Sequence, residues 1–228
     1  MKLLVFTILL GSSLYSVDFK YEMGEKLYSE SCISCHGKDG TSNTKLRFIV
    51  SPRNLNKTIL DEEQSYNIIK KGAHYWGASA DMMPSFESVY NEEQLRSLAY
   101  YISNEFNPNV EKKIDSFYAK SDLIPENKKP KMLKRGKKIY TRNCSWCHGL
   151  QAKGDGDASK NPELSIFPYD LTKTLLNDKQ MFLYIKNGGL FWGTHKDDMP
   201  SWSRKYDDYT IKSIVKYIRK NFVKIEKK

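Results

Sequence analysis

The sequence contains few residues that bind metals or form cross-links. It has four cysteines and four histidines in 228 residues, and every cysteine lies in one of two strings, Cys32–His36 and Cys144–His148. No cysteine therefore remains for a lipid anchor near the N-terminus or for a further thiolate ligand. The small number of cysteines also sets this chain apart from disulfide-rich secreted scaffolds.

No stretch of the sequence is apolar enough for a comfortable membrane span, which needs about 20 residues. The short apolar run Leu3–Leu10 follows Lys2 and precedes Gly11-Ser12-Ser13, a pattern typical of a secretory leader. We predict a signal peptide over residues 1–16, with an uncleaved anchor as the alternative. The mature chain then has room for two domains of about 100 residues each.

Both cysteine strings read Cys-x-x-Cys-His, the attachment signature of c-type haem. We predict two covalently bound haems c, attached by the thiols of Cys32, Cys35, Cys144 and Cys147 and ligated by His36 and His148. Two alternatives are a pair of disulfides and a zinc site built from both strings. The strings lie 112 residues apart, whereas zinc ribbons separate their halves by about 15–20 residues, and two disulfides require no histidine.

The chain repeats itself with an offset of 112 residues around the haem strings and of 116 residues after Pro52 and Pro168. Matching segments include Trp76-Gly77 with Trp192-Gly193 and Met83-Pro84-Ser85 with Met199-Pro200-Ser201. A repeat of this length indicates a duplicated domain, since solenoid units are much shorter. The predicted boundaries are 17–106 for the first domain, 107–130 for a linker and 131–228 for the second domain.

Each copy reads as helical, without a convincing alternating pattern for a sheet. The final helix is the clearest, because Leu95, Leu98, Ala99, Ile102 and Phe106 follow a 3.6-residue period that recurs from Ile211 to Phe222. We predict earlier helices over about 21–31 and 133–143, and middle helices over about 62–71 and 178–186. A short helix over 114–118 within the linker is also expected.

Methionine is the expected distal ligand, because its soft thioether favours reduced iron. Met199 precedes Pro200, which favours an extended, stiff loop, and the 116-residue offset matches it to Met83. Met82 and His74 are the alternatives in the first copy. Trp76 and Trp192 precede the methionine loops, and we expect them to pack a haem edge, to donate to a propionate, or to fill the core.

The formal charge of +10 is unevenly distributed. Residues 17–118 carry 12 lysines and arginines against 15 aspartates and glutamates, whereas residues 119–228 carry 24 against 12. An exported protein rarely meets nucleic acid, so we expect no nucleic-acid partner. The basic half favours an acidic redox partner or an anionic membrane surface, with a merely solvated basic face as the alternative.

Together, the first helix, the Cys-x-x-Cys-His string, the loop proline, the Met-Pro pair and the closing helix resemble class I cytochrome c, over about residues 20–106 and 131–223. The resemblance implies an all-α fold of two tandem class I cytochrome c domains, each wrapped around one covalent haem, as in bacterial di-haem cytochromes of the periplasm. It also implies that the carbonyls of Pro52 and Pro168 accept hydrogen bonds from the proximal histidines.

Three functions remain open at this point. A periplasmic electron carrier with two His/Met-ligated haems comes first, since six-coordinate iron leaves no substrate site. An electron-transfer subunit of a periplasmic or membrane oxidoreductase is the second. A di-haem enzyme, either a peroxidase or a thiosulfate-oxidising cytochrome, is the third and least favoured.

Overall fold

A computed structural model describes residues 6–44, 52–78, 83–118, 130–161, 168–194 and 199–224, with side chains described from residue 19 onwards. These residues form helices joined by loops, and no strand occurs among them, which confirms the all-α prediction. The helices are α1 (Phe6–Ser31), α2 (Ile33–His36), α3 (Glu62–Lys71), α4 (Glu92–Phe106), α5 (Val110–Tyr118), α6 (Met132–Ile139), α7 (Ser145–His148), α8 (Asp178–Asn187) and α9 (Asp208–Asn221). Within the described ranges, none of these helices has the length and apolarity needed to cross a membrane.

The middle helices α3 and α8 begin in the same way. Asp61 and Asn177 accept hydrogen bonds from the backbone N–H groups of Gln64 and Gln180, and each glutamine side chain returns a hydrogen bond to the backbone of its cap residue. Such reciprocal bonding satisfies N–H groups that the first turn of a helix leaves unpaired. The predicted middle helices are therefore confirmed to within one residue.

In each module the first and last helices cross at a glycine. A Cβ atom on Gly24 would lie 2.2 Å from the carbonyl oxygen of Ser97, and one on Gly136 would lie 2.0 Å from that of Ser213. The backbones therefore approach as closely as a side chain of one hydrogen atom allows. This crossing holds the start of each cysteine string against the final helix.

The substitution Gly136→Ala tests this crossing. Alanine favours an isolated helix by about 1 kcal/mol over glycine, but overpacking against backbone usually costs about 1–3 kcal/mol. We expect the free energy of unfolding, measured with urea, to fall by about 1–3 kcal/mol. The exposed Lys138→Ala should change it by less than about 0.5 kcal/mol. A Gly136→Ala protein as stable as the wild type would contradict the close approach.

The predicted linker does not behave as a linker throughout. Its first part is helix α5, which is longer than the predicted 114–118 and packs on the second module: Ile114 is buried in that core, and the rings of Phe117 and Trp192 meet edge to face at 5.3 Å. Residues 119–129 lie outside the described residues. The second module therefore has an additional helix without a counterpart among the described residues of the first.

Two segments near the cysteine strings also differ from the expectation. Helix α1 begins at Phe6, inside the predicted leader, rather than near Tyr21. Before the second string, α6 ends at Ile139 and Tyr140–Cys144 forms a π-helical turn, whereas α1 stays α-helical to Ser31.

The two modules meet across a pseudo-twofold interface. The backbone N–H of Asn54 donates to the carbonyl of Gly193 at 3.0 Å, and the N–H of Asp170 donates to the carbonyl of Gly77 at 2.7 Å. The two bonds are equivalent under the 116-residue offset, because Asn54 corresponds to Asp170 and Gly77 corresponds to Gly193. Gly77 and Gly193 have φ angles of +99° and +85°, and a Cβ on either would collide with the opposite backbone.

A buried pair of glutamines lies on the axis of this interface. The side chains of Gln64 and Gln180 donate to each other's amide oxygens at 2.8 and 2.7 Å. Gln64 also donates to the carbonyl of Leu175, and Gln180 to that of Ile59. Buried amides require such partners, so the two modules are held in one register.

Candidate haem sites

Each cysteine string forms a single helical turn that ends at its histidine. Helices α2 and α7 end at His36 and His148, and the glycines that follow take φ angles of +76° and +78°. The hydroxyl of Tyr28 donates to the carbonyl of Gly37 at 2.7 Å, and Tyr140 donates to Gly149 at 2.8 Å. An equivalent tyrosine therefore fixes the end of the string in each module.

The Nδ1 atoms of the two histidines are held by backbone carbonyls. His36 Nδ1 lies 3.2 Å from the oxygen of Arg53, and His148 Nδ1 lies 3.0 Å from that of Tyr169. A carbonyl only accepts, so Nδ1 carries the proton and Nε2 is left as the free donor of an electron pair. Hydrogen bonds of this kind orient metal-ligating imidazoles.

The acceptors are not the predicted prolines. Pro52 and Pro168 each stand one residue before the carbonyl that faces the histidine. A Cβ on Gly154 would lie 2.6 Å from the oxygen of Pro168, so this carbonyl faces the neighbouring loop. Successive carbonyls of an extended chain point in opposite directions, and the next residue supplies the bond.

Burial keeps both histidines neutral. Desolvation lowers the pKa of His36 and of His148, and the hydrogen bond to the backbone offsets only part of this effect. A neutral imidazole is the form that binds a metal ion. Both rings are therefore prepared for ligation at Nε2.

All four cysteines are free thiols in the structure. Burial is the main cause that raises the pKa of Cys32 and of Cys144 to about 12, and the neighbouring cysteine adds to it. Redox-active Cys-x-x-Cys pairs and zinc sites need thiolates, which a lowered pKa favours. Among the described residues no group of three histidine, cysteine or acidic side chains could hold a metal ion.

The methionine loops are attached to the ends of the middle helices by matching hydrogen bonds. The carbonyl of Met83 accepts from the N–H of Ala73 at 3.0 Å, and that of Met199 accepts from the N–H of Gly189 at 2.7 Å. The glycines that end α3 and α8 allow this approach, because a Cβ on Gly188 would lie 2.9 Å from the oxygen of Met199. Both methionine side chains are half-buried against their module's core. Met82 lies outside the described residues.

The two tryptophans have a structural role. The indole N–H of Trp76 donates to the carbonyl of Asn67 at 2.9 Å, and that of Trp192 donates to Leu183 at 3.0 Å. Their indole donors are thus engaged with the middle helices and are not free for a propionate, and Trp192 is fully buried.

A cavity of ≈ 660 Å³ lies beside the second methionine loop. Its lining includes Met199, Trp192, Phe117, Leu190 and Lys57. It reaches from the surface of the second module to a residue of the first. Sequence patterns did not indicate it, because its wall combines α5 with both modules.

Comparison with known proteins identifies the family of this chain. The family model described as "Cytochrome C oxidase, cbb3-type, subunit III" matches residues 20–102 and again residues 131–218. The chain is 23% identical over 207 residues to the Cbb3-type cytochrome c oxidase subunit CcoP of Azospirillum brasilense, covering 86% of this chain and 60% of that protein. It is 22% identical, with 86% and 61% coverage, to the cytochrome bc1 complex cytochrome c subunit of Mycobacterium tuberculosis. The chain thus spans about three fifths of these relatives.

A single module is also similar to a small cytochrome. The cytochrome c6 of Bryopsis maxima is 32% identical over 92 residues, which cover 39% of this chain and 91% of that protein. Among solved structures, a chain of the Kuenenia stuttgartiensis reducing HAO-like protein complex aligns with a TM-score of 0.46 at 21% identity, over 89% of this chain and 96% of the other. With its family model matched over residues 20–102 and 131–218, the chain belongs to the cbb3-type cytochrome c oxidase subunit III family and consists of tandem class I cytochrome c modules, a membership that implies covalently bound haem c.

Proposed function

We propose that this chain carries two covalent haems c, each with histidine and methionine ligands, and passes electrons between respiratory partners. Cys32 and Cys35 attach the first haem and Cys144 and Cys147 the second. His36 and Met83 are the ligands in the first module, and His148 and Met199 those in the second. The bound haems supply one-electron iron chemistry, while the protein sets the ligand geometry.

One observation supports this function above all others. The carbonyls that orient the two histidines belong to Arg53 and Tyr169, and the Arg53 side chain lies close to Tyr169 across the interface. The proximal sides of the two modules therefore lie close together. Such an arrangement suits transfer of an electron from one module to the other.

Turnover and electron exchange separate carrier from enzyme. The reduced two-haem protein should give up two electrons to a one-electron acceptor and show no peroxidase or thiosulfate-oxidising turnover above that of haem in solution. Sustained turnover with peroxide or thiosulfate would contradict the proposal. The same preparation serves both assays.

A second candidate is an electron-transfer subunit of a larger complex. It is favoured by the similarity to relatives named as subunits of a cbb3-type oxidase and of a bc1 complex. Affinity purification of the natively expressed chain tests it. Recovery of a stoichiometric oxidase or reductase would favour the subunit, and recovery of the chain alone would favour the free carrier.

For both candidates we propose export to the periplasm by residues 1–16.

The two modules present opposite charges at equivalent positions of the helical segments that precede their cysteine strings. Lys134, Lys137 and Arg142 in the second module correspond to Glu22, Glu25 and Glu30 in the first, and all six are exposed. We call the former three residues the basic face. Exposed Lys216 and Lys220 of the adjoining α9 extend it. An acidic redox partner is the complement that we propose for it, with an anionic membrane surface as a second possible contact.

The charges of this face can be tested by reversal. Changing Lys134, Lys137 and Arg142 together to glutamate should slow electron transfer to the physiological partner several-fold at low salt. Wild-type rates should also fall as salt screens attraction beyond about 8–10 Å. Stopped-flow kinetics at several ionic strengths measures both effects.

The equivalent acidic positions give a matched control. Changing Glu22, Glu25 and Glu30 to lysine alters charge by the same amount on the other module and should leave that rate nearly unchanged. Equal effects of the two triple variants, or a rate indifferent to salt, would show that the basic face does not dock the partner.

A further inference from the structure

Arg53 is a cation placed between the two modules without an acidic partner. Its side chain leaves the first module, its Cζ atom lies 5.5 Å from the centre of the Tyr184 ring, and Nη1 donates to the Tyr184 hydroxyl. Tyr169 lies close to the same guanidinium group. By contrast, Arg96 and Arg219 pair with carboxylates, and the described residues offer Arg53 none.

This environment is incomplete for a guanidinium group. Arginine stays charged, and moving a charge out of water is costly unless an opposite charge compensates it. The hydroxyl and the ring face of Tyr184 are neutral partners. The planar fork of the guanidinium matches a carboxylate, which it binds with two parallel hydrogen bonds.

The position of Arg53 indicates where this carboxylate comes from. Its own carbonyl holds His36, and Tyr169, which its side chain reaches, holds His148. A covalent haem at each string would bring two propionate carboxylates into its module. Trp76 and Trp192 do not compete for them, because their indole N–H groups are bonded to backbone.

We infer that Arg53, although it belongs to the first module, is the binding site for a propionate of the second haem. The guanidinium contacts Tyr169 and Tyr184, which both belong to the second module. The propionate is therefore assigned to the second haem. The site exists once, because the 116-residue offset pairs Arg53 with Tyr169 and Tyr184 with Ile68. A cation beside one haem stabilises its reduced form, so Arg53 raises one potential and splits the pair.

The test is a spectroelectrochemical titration of the two-haem protein carrying Arg53→Gln. This change keeps the backbone carbonyl that holds His36 and removes the charge. We expect the equilibrium constant for reduction of the second haem to fall about tenfold, which is about 59 mV for a one-electron couple. Arg53→Lys should recover part of the shift. Met199→His identifies the wave of the second haem, since losing the thioether lowers its potential.

Arg96→Gln is the control, because it removes an exposed arginine charge from the same module. It should change the equilibrium constant for reduction of either haem by less than twofold. Unchanged potentials, an equal shift of both haems, or a shift confined to the first haem would overturn the inference. Loss of the near-infrared thioether band in Arg53→Gln would also overturn it, since the residue would then support the ligands rather than the propionate.

A crystal structure of the two-haem protein tests the same point without a variant. We expect an Arg53 nitrogen within about 2.7–2.9 Å of a propionate oxygen of the second haem. A guanidinium bonded to tyrosines alone would refute it. The inference rests on the two haems proposed above, but the two fail separately: a haem count below two refutes the function, whereas intact haems with unchanged potentials refute only the role of Arg53.

Discussion

Replacing Cys32 and Cys35 together with alanine should remove one of two haems and leave the other spectrum largely intact. Each Cys-x-x-Cys-His string holds its own helical turn, tyrosine bond and histidine carbonyl. Covalent attachment therefore depends on the cysteines of one module only. Expression in a host that matures c-type cytochromes, followed by intact-mass measurement and a haem assay after acid–acetone extraction, gives the haem number directly.

Ser34→Ala is the matched control, because it changes the same string without replacing a cysteine, and it should keep both haems. Extraction of both haems by acid acetone from the wild type would show that neither is covalent. Retention of two covalent haems in the double cysteine variant would contradict the assignment of Cys32 and Cys35.

Removal of the second methionine should have the next largest effect. In Met199→Ala we expect half of the near-infrared thioether-to-iron band to disappear and the second haem to bind carbon monoxide and cyanide. Met199 lines a cavity at this loop. The reduction potential of the second haem should fall, because a thioether ligand favours reduced iron. Near-infrared spectra and ligand titrations measure these changes.

Met181→Leu separates ligation from packing. Met181 is 4% exposed in the core of the same module, and a swap of similar volume should keep the band. In the first module, Met83→Ala should behave as Met199→Ala does. Loss of the first-haem band in Met82→Ala but not in Met83→Ala would show that the repeat register misassigns this ligand.

Local patterns predicted the helices well. The capped starts of α3, α4, α8 and α9 follow from Asp or Asn three residues before a Gln or Thr and from the apolar period behind them. Duplication doubled the strength of each signal, since two independent segments had to agree. The equivalent positions of Met83 and Met199, in loops held at the ends of the middle helices, could be predicted from the sequence for the same reason.

Features set by tertiary geometry were harder to predict from the sequence. The choice of Arg53 over Pro52, and of Tyr169 over Pro168, depends on which carbonyl an extended loop turns inwards. The bonds of the Trp76 and Trp192 indoles depend on how the 3₁₀ turns at 74–76 and 190–192 lie against the middle helices. A residue spacing does not carry this information.

The interface between the modules was equally hard to predict from the sequence. Gln64 and Gln180 are visible in the sequence as members of capping boxes, and nothing local shows that they also bond to each other at 2.7–2.8 Å. One signal could have indicated the asymmetric site, namely that Arg53 stands where the other copy has Tyr169. Comparing the copies for differences in charge is therefore as informative as comparing them for matches.

A redox titration of the mature protein, followed by visible and near-infrared spectra, tests the central claim most directly. We expect two one-electron waves of equal haem absorbance, low-spin spectra in both oxidation states, and a thioether band corresponding to two irons when the protein is oxidised. A single haem wave, or a high-spin iron without its thioether band, would contradict the proposal that this chain is a carrier with two His/Met-ligated haems.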